Sequence, residues 1–137
     1  MLFRSSVVRA AVELLKQGST SALAELGPDE LTGVAVAKAA RAGDELAKRV
    51  FEQIGNILGR GVANIVSLFD PEVVIIGGGM ADSADLFLSN VVKAVRQFAQ
   101  PLSAPQIRIR VSQLRGDANL LGVARLAWEH AHAPGKR

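Results

Sequence analysis

The sequence contains no cysteine, no tyrosine and a single tryptophan among its 137 residues. Without cysteine, the chain has no disulfide, no thiolate nucleophile and no zinc site built on cysteine ligands. It also lacks the roughly 18 uninterrupted apolar residues that a membrane-spanning helix needs. The residues up to Gln17 carry charges within their apolar stretch and lack a small-residue cleavage site, so they do not match a secretory signal. We therefore expect a cytoplasmic location and no membrane partner.

The excess of positive charge is also small, because 16 Lys and Arg are balanced by 13 Asp and Glu, which leaves a net charge of +3. Arginines cluster weakly at Arg108, Arg110 and Arg115, and Lys136 and Arg137 end the chain. Aromatic residues make up 4% of the sequence, and no nucleic-acid-binding motif accompanies the arginines. A solvated basic face is the preferred interpretation, and direct nucleic-acid binding by this chain is not expected.

What the sequence does contain is the composition of one globular domain, 49% hydrophobic and 21% charged. Apolar residues at three- and four-residue spacing predict an amphipathic helix over 5–17, which Gly18 ends. A polar linker follows, so residues 1–31 are interpreted as an N-terminal helix and linker. The residues predicted to share the apolar face of this helix are Val8, Ala11, Val12 and Leu15.

Two further helices begin at capping residues. Thr32 is a suitable N-cap for a short second helix, and Asp44 is one for a long third helix over about 44–69, which Pro71 ends. The apolar stripe predicted for the third helix consists of Leu46, Val50, Ile54, Leu58, Ile65 and Phe69, joined by Ile57, Val62, Val66 and Leu68.

A β-α-β pattern follows. The β-branched run 72–76 is typical of a strand buried on both faces, a helix is predicted over 84–99, and 106–111 alternates as a strand with one apolar face. This unit predicts a right-handed parallel crossover. A last helix over 120–131 precedes the tail 134–137, which is expected to be disordered. The inward residues predicted for these elements are Leu86, Leu88, Val91, Val92, Val95, Phe98, Ile107, Ile109, Val111, Leu121, Ala124, Leu126 and Trp128.

The first strand ends in three glycines, Gly77, Gly78 and Gly79. A glycine-rich turn at the carboxyl end of a parallel strand lets a ligand contact the backbone, because no Cβ is in the way. The helix that follows offers free N–H groups to an anion. The turn matches neither the dinucleotide fingerprint nor the Walker loop. From these residues alone, a tight turn and a phosphate or nucleoside contact both remain open.

Gly55, Gly59 and Gly61 lie inside the predicted long helix, where each costs up to about 1 kcal/mol relative to alanine. Three such costs indicate that something approaches the backbone closely. Packing against another helix is the preferred interpretation, and a wall against a ligand is the alternative.

Histidines and serines give no convincing catalytic or metal-binding arrangement. His130 and His132 are two residues apart, and residues at that spacing do not share a helix face, so solvated side chains are preferred over a metal site. Ser103 and Ser112 have neither a neighbouring histidine nor a nucleophile elbow.

Two pairs of carboxylates are candidates for general acid–base catalysis. Asp82 and Asp85 follow the three glycines, and Asp70 and Glu72 flank a proline turn. Helix capping and turn formation are the preferred roles for all four.

The string ILGRGVANIVSLFDPEVVIIGGG, residues 57–79, resembles the C-terminal signature of the ROK family of bacterial sugar kinases and sugar-responsive transcriptional repressors. Segments 114–122 and 41–44 resemble two further family motifs, and the similarity extends over about residues 5–131. Ser67 and Asp70 replace asparagines that are usual in the signature. The matching positions are Gly59, Gly61, Ala63, Asn64, Leu68, Phe69, Pro71 and Glu72.

The resemblance implies an α/β fold: part of the actin-like, ribonuclease H-like ATPase fold, helix-rich with a short parallel β-α-β unit, in a C-terminal subdomain over 32–133. In family members, the segment matching Gly77, Gly78 and Gly79 is the adenosine motif. The helix carrying the equivalents of Gly61 and Asn64 flanks that pocket.

These five residues are therefore the candidate cofactor-binding residues, and ATP or ADP is the cofactor that the resemblance implies. No catalytic residue and no metal ligand is assigned within this chain.

Several motifs of the family are missing from the sequence: the Asp-x-Gly-Gly-Thr phosphate loop, the catalytic aspartate, the second phosphate loop and the zinc site of histidine and cysteines. Phosphoryl transfer depends on positioning and electrostatics. We therefore expect no kinase activity from this chain alone, and sugar phosphorylation above the background without enzyme would refute this. A sugar ligand is expected only in the full-length context.

Three hypotheses follow from the resemblance. The chain is the C-terminal nucleotide-pocket and dimerisation portion of a ROK regulator or kinase, or a fragment of a glucokinase-like enzyme that needs an N-terminal lobe, or a vestigial dimerising module. The family's C-terminal domain has five strands, of which two are recognisable here, so an edge and part of a face lack cover. Self-association through the helices near 44–69 and 84–99 is expected.

Overall fold

The computed structural model describes residues 2–102, 104–114 and 117–132. Ser103, Arg115 and the tail 134–137, which the sequence analysis considered, lie outside the described residues. Within the described residues, the helices are α1 Leu2–Lys16, α2 Gly33–Arg41, α3 Glu45–Phe69, α4 Ala84–Phe98 and α5 Ala118–Ala131, and the strands are β1 Val73–Ile76 and β2 Arg108–Val111. Short 3-10 turns are formed by Ala22–Glu25 and Ala81–Ser83.

Both predicted N-caps are confirmed. The hydroxyl of Thr32 accepts a hydrogen bond from the N–H of Ala35 at 3.2 Å, and the carboxylate of Asp44 accepts one from the N–H of Ala47 at 2.9 Å. These bonds satisfy N–H groups that the first turn of a helix leaves without an intrahelical partner. The starts of α2 and α3 are therefore set by capping side chains that can be recognised in the sequence.

Helices α3 and α4 pack closely because α3 carries glycines where α4 crosses it. A Cβ built on Gly59 would lie 2.5 Å from the Cβ of Ala94 and 2.8 Å from the carbonyl oxygen of Val91. One on Gly55 would lie 2.7 Å from the carbonyl oxygen of Phe87. The helix-packing interpretation is thus confirmed for these two glycines.

The hydrophobic core is formed by α1, α2, α3 and α4 together. One cluster of buried residues includes side chains from both sides of residue 31, where the sequence analysis ended the N-terminal helix and linker. In α1, the buried face is centred about one residue earlier than predicted, on Val7, Ala11 and Leu14. Three residues of the predicted face are only half-buried, namely Val8, Val12 and Leu15. The largest fully buried side chains are Phe51, Phe87, Leu46, Val7, Val36, Val50, Val66, Val91 and Val95.

The two strands pair in parallel, with Val73 opposite Arg108 and Ile76 opposite Val111, so the predicted parallel crossover through α4 is confirmed. The prediction that β1 is buried on both faces is wrong. Ile75 is 65% exposed, whereas Val74 and Ile76 are half-buried against the core. A two-stranded sheet with its helices on one side leaves the other side of each strand uncovered.

Part of the apolar stripe predicted for α3 is exposed, and so is Phe98 of α4. The described neighbours of α3 cover only one side of a 25-residue helix whose apolar residues extend beyond that side. The guanidinium of Arg60 lies over the ring of Phe98, 4.6 Å from its centroid. Phe87, which the sequence analysis did not select, is fully buried instead. The α3 residues concerned are Ile57, Ile65, Leu68 and Phe69.

No residue of α5 is buried, so the predicted inward positions Leu121, Ala124, Leu126 and Trp128 are wrong for this chain. The sequence pattern does form a helix, but no other described element covers it. The ring of Trp128 stacks instead on that of His132, with centroids 3.9 Å apart. Across the described residues, every helix is too short or too polar to span a bilayer.

Candidate functional site

The glycine turn lies where the carboxyl ends of the two strands meet. The N–H of Ser112 donates to the carbonyl of Ile76 at 2.8 Å, and a Cβ on Gly77 would lie 3.4 Å from that of Ser112. Gly78 has φ +81°, a left-handed conformation that side chains rarely adopt. Its carbonyl accepts a hydrogen bond from the N–H of Ala81 at 3.0 Å. The turn thus redirects the chain from β1 into the segment that leads to α4.

Beside this turn lies a cavity of about 700 Å³, a size typical of small-molecule sites. One wall is the segment from Gly79 to Ser83, which follows the turn. A second part of the lining is the start of α2 with the loop before it, and α1 and α3 contribute the remaining lining residues. The lining residues are Val7, Val8, Arg9, Pro28, Asp29, Leu31, Thr32, Gly33, Val34, Phe51, Gly79, Met80, Asp82 and Ser83.

The chemistry of this cavity is mixed. Its apolar lining includes the half-buried Met80 and the exposed Val34, which can contact an aromatic base, whereas the side chain of Phe51 is fully buried. The first turn of α2, from Gly33, adds backbone N–H groups that an α-helix leaves without intrahelical acceptors. Charged side chains at Arg9 and Asp29 also line it. The arrangement can hold an apolar ring and a polar or anionic group together.

The five predicted cofactor-binding residues do not come together in this cavity. Gly79 lines it, and Gly77 and Gly78 form the turn that positions Gly79. Gly61 and Asn64 are exposed on α3 and are not among the lining residues. The contribution of α3 to the lining is Phe51, ten residues before Gly61, which is roughly 15 Å along a helix axis.

Several lining residues were missed by the sequence analysis. Phe51, Met80 and Arg9 belong to none of the motifs identified in the sequence. The first turn of α2 did give a signal, because Thr32 was predicted as its N-cap. The sequence could not reveal that this turn and Gly79 line the same cavity.

An ion pair joins the end of α2 to the start of α4. The guanidinium of Arg41 donates from Nε to Oδ2 of Asp85 at 2.9 Å and from Nη2 to Oδ1 at 2.8 Å. Hydrogen bonding to Asp85 raises the pKa of Arg41. The same hydrogen bonds lower the pKa of Asp85 below its ordinary value of 3.8. Asp85 therefore forms an ion pair between two helices, whereas the sequence analysis preferred helix capping or turn formation for it.

The remaining candidates also have structural partners. Nδ1 of His132 lies 2.9 Å from the carbonyl oxygen of Trp128. The hydroxyl of Ser112 accepts a hydrogen bond from the N–H of Leu114 at 3.2 Å. Among the described residues, no group of three His, Cys, Asp or Glu side chains could hold a metal ion.

Two acidic residues lie in the turn between α3 and β1. Glu72 pairs with Arg108 at 3.6 Å. Asp70 ends α3 in the left-handed conformation, with φ 44°, at a position where the family signature usually has asparagine. Both are turn residues, as the sequence analysis preferred.

Comparisons with known proteins agree with this architecture. The family model described as the ROK family matches residues 10–130. The chain is 34% identical over 109 residues to the glucokinase of Streptomyces coelicolor, covering 79% of this chain and 34% of that protein. It is 31% identical over 94 residues to the DNA-binding transcriptional repressor Mlc of Escherichia coli, covering 69% of this chain and 23% of that protein. The chain thus spans about a third, or less, of the length of these relatives.

The structure also resembles a solved one. It superimposes on a ROK family glucokinase from Streptomyces griseus, in complex with glucose and AMPPNP, with a TM-score of 0.72 and 32% identity. The match covers 88% of this chain and 40% of that chain. The predicted fold is therefore confirmed at the coarse level, as a helix-rich chain with a small parallel sheet that matches part of a sugar kinase.

Proposed function

The chain belongs to the ROK family, and on that premise we propose that it forms the C-terminal nucleotide-pocket and dimerisation portion of a sugar-responsive regulator or sugar kinase. In this proposal, the 700 Å³ cavity beside the glycine turn binds an adenine nucleotide, ATP or ADP. The observation that carries the proposal is that the glycine turn and the first turn of α2 line the same cavity. The fold that we propose for the chain is a partial actin-like ATPase subdomain.

The residues present fit such a cofactor. Met80 and Val34 offer apolar contact to a base, and Gly79 has no Cβ to obstruct a ligand at the turn. The N–H groups at the start of α2 suit a phosphate oxygen. The solved relative from Streptomyces griseus carries AMPPNP, which supports nucleotide binding within the family. We retain Gly61 and Asn64 as outer contacts of the nucleotide in the full-length protein.

A bound nucleotide would supply a transferable phosphoryl group, but this chain has no residue assigned to transfer it. The sequence contains no Asp-x-Gly-Gly-Thr loop and no cysteine. Because phosphoryl transfer requires a phosphate cradle, a metal-binding carboxylate and a base, the role proposed for the chain is binding and positioning. Phosphorylation of a sugar belongs to the full-length context, in the cytoplasm.

Calorimetric titration of the chain with ADP tests the proposal. We expect binding at millimolar concentration or tighter, abolished in Gly78→Val because the valine distorts the turn that positions Gly79. Gly18→Val is the matched control, since Gly18 has φ +83°, like Gly78, but is not among the cavity-lining residues. No heat at any ADP concentration, or equal losses in the two variants, would contradict the proposal.

A second candidate function, an interaction module with vestigial ligand binding, is favoured by the apolar surface that the described elements leave uncovered. Ile75, Leu68 and Phe69 are exposed on β1 and at the end of α3, and no residue of α5 is buried. Large exposed apolar patches mark interaction sites, and these residues are candidates for such a patch. Its partners would be a second copy or an N-terminal lobe with the remaining strands of the sheet.

The genomic reading frame upstream of this chain distinguishes the two parent types. A frame that encodes a winged helix favours a regulator, whereas one that encodes Asp-x-Gly-Gly-Thr favours a glucokinase-like enzyme.

A further inference from the structure

One side chain, Arg41, connects two elements that both contribute to the lining of the cavity. Besides its two hydrogen bonds to Asp85, Nη2 of Arg41 donates to the carbonyl oxygen of Asp82 at 2.9 Å. Asp82 belongs to the cavity wall that starts at Gly79, and Arg41 is the last residue of α2, whose first turn is the other wall. The guanidinium thus joins both walls through hydrogen bonds outside the cavity.

The segment that Arg41 holds is short and irregular. Between the glycine turn and α4, the N–H of Ala81 donates to the carbonyl of Gly78, and that of Ser83 donates to the carbonyl of Met80, each at 3.0 Å. These bonds shape the segment internally but do not attach it to α2. Because α2 is a nine-residue helix, fixing the segment at Arg41 also fixes its distance from Gly33 at the other end.

This contact is suited to fixing geometry more than to adding stability. The side chains of Arg41 and Asp85 are 46% and 54% exposed, and exposed ion pairs contribute little to the free energy of unfolding. A guanidinium that donates two parallel hydrogen bonds to one carboxylate nevertheless defines both distance and orientation. A lysine at position 41 would keep the charge but lose that orientation.

We infer that Arg41 is a positioning residue for the nucleotide cavity, holding the Gly79–Ser83 wall at a fixed separation from the first turn of α2. The inference rests on the proposed function of that cavity. It assigns Arg41 no contact with the nucleotide, since Arg41 is not among the lining residues.

The test compares Arg41→Ala with Lys48→Ala in the full chain, with ADP as the probe and binding followed by NMR titration. Lys48 forms a 2.8 Å ion pair with Glu45, and its side chain is 49% exposed, so its loss is a matched change away from the cavity. We expect Arg41→Ala to weaken ADP binding about fivefold. This factor corresponds to a variant in which the Gly79–Ser83 segment adopts its binding-competent conformation about a fifth of the time. Lys48→Ala should bind ADP like the wild type, and both variants should keep the wild-type melting temperature within a few degrees.

Two further measurements identify the route of the effect. Adding Asp85→Asn to Arg41→Ala should weaken binding no further, because both changes remove the same contact. Without ADP, the amides of Ala81 and Ser83 should exchange with solvent faster in Arg41→Ala than in Lys48→Ala. An additive double variant, or unchanged exchange at these amides, would overturn the positioning role.

The outcomes also separate this inference from the proposed function. If the wild type binds ADP and Arg41→Ala binds it equally well, Arg41 has no positioning role and the proposed function stands. If the wild type binds no ADP, the proposed function fails and the positioning role fails with it.

Discussion

The carboxylate of Asp44 connects two segments that are distant in sequence. Oδ1 accepts a hydrogen bond from the N–H of Ala47 at the start of α3, and Oδ2 accepts one from the hydroxyl of Ser21 at 2.8 Å and one from the N–H of Ala22 at 3.2 Å. The sequence predicted the cap, because Asp44 follows a glycine and precedes a helical pattern. It could not predict the bonds to Ser21 and Ala22, which depend on how the linker returns to α3.

Asp44→Ala should lower the free energy of unfolding by about 1–2 kcal/mol at neutral pH, since the loss of an N-cap alone costs about 1 kcal/mol. Urea unfolding measures the change. Glu52→Ala, at an exposed position of α3, is the control and should alter stability by less than about 0.5 kcal/mol.

The same residue should make stability depend on acidity. Burial raises the pKa of Asp44, but the hydrogen bonds from Ala47, Ser21, Ala22 and Leu46 outweigh burial, so its pKa lies below the ordinary 3.8. A lowered pKa stabilises the fold above pH 3.8, and that stabilisation is lost as the pH falls through the folded-state pKa. Asp44→Asn should therefore lose less stability than the wild type between pH 5 and pH 2. Parallel stability curves for the two proteins would show that the carboxylate contributes nothing.

At the scale of elements, the structure assigns different roles to the glycines of α3. Gly59 lies against α4, where any Cβ would overlap Ala94, whereas nothing lies within 4 Å of a Cβ at Gly61. Sequence reasoning identified these glycines as points of close approach but could not tell which neighbour approaches each one. That distinction depends on where α4 crosses, which is set by tertiary packing.

Gly59→Ala and Gly61→Ala should change stability in opposite directions. The first forces α3 and α4 apart and should cost about 1–3 kcal/mol. The second removes a flexible residue from an exposed helical position and should stabilise the chain by up to about 1 kcal/mol. Thermal unfolding of the two variants measures both signs, and a loss of stability in Gly61→Ala would show that its surroundings are crowded.

The strands and the last helix show why burial was harder to predict than secondary structure. The secondary-structure types of β1, β2 and α5 were predicted correctly, because local periodicity determines them. The pattern of β1 indicated burial on both faces, yet Ile75 is exposed, and α5 has no buried residue. Burial depends on which other elements pack against a strand or helix, and local periodicity does not contain that information.

At the scale of the whole molecule, the exposed apolar residues at the end of α3 predict self-association. Sedimentation velocity should detect dimers or larger species, because Leu68 and Phe69 are 77% and 75% exposed and gain from burial. Leu68→Glu should shift the chain towards the monomer.

Leu126→Glu, on α5, is the control and should leave the association unchanged. A monodisperse monomer of the wild type at high concentration would contradict the prediction. Dissociation by Leu126→Glu alone would show that α5 forms the contact instead of α3.

The central claim is that the cavity between the glycine turn and α2 binds an adenine nucleotide. An NMR titration of the isotope-labelled full chain with ADP tests it most directly, because each backbone amide reports its own surroundings. We predict concentration-dependent shifts concentrated at Gly79, Met80, Ser83, Gly33 and Val34, which line the cavity. An unchanged spectrum at millimolar ADP, or shifts confined to residues away from this cavity, would contradict the account.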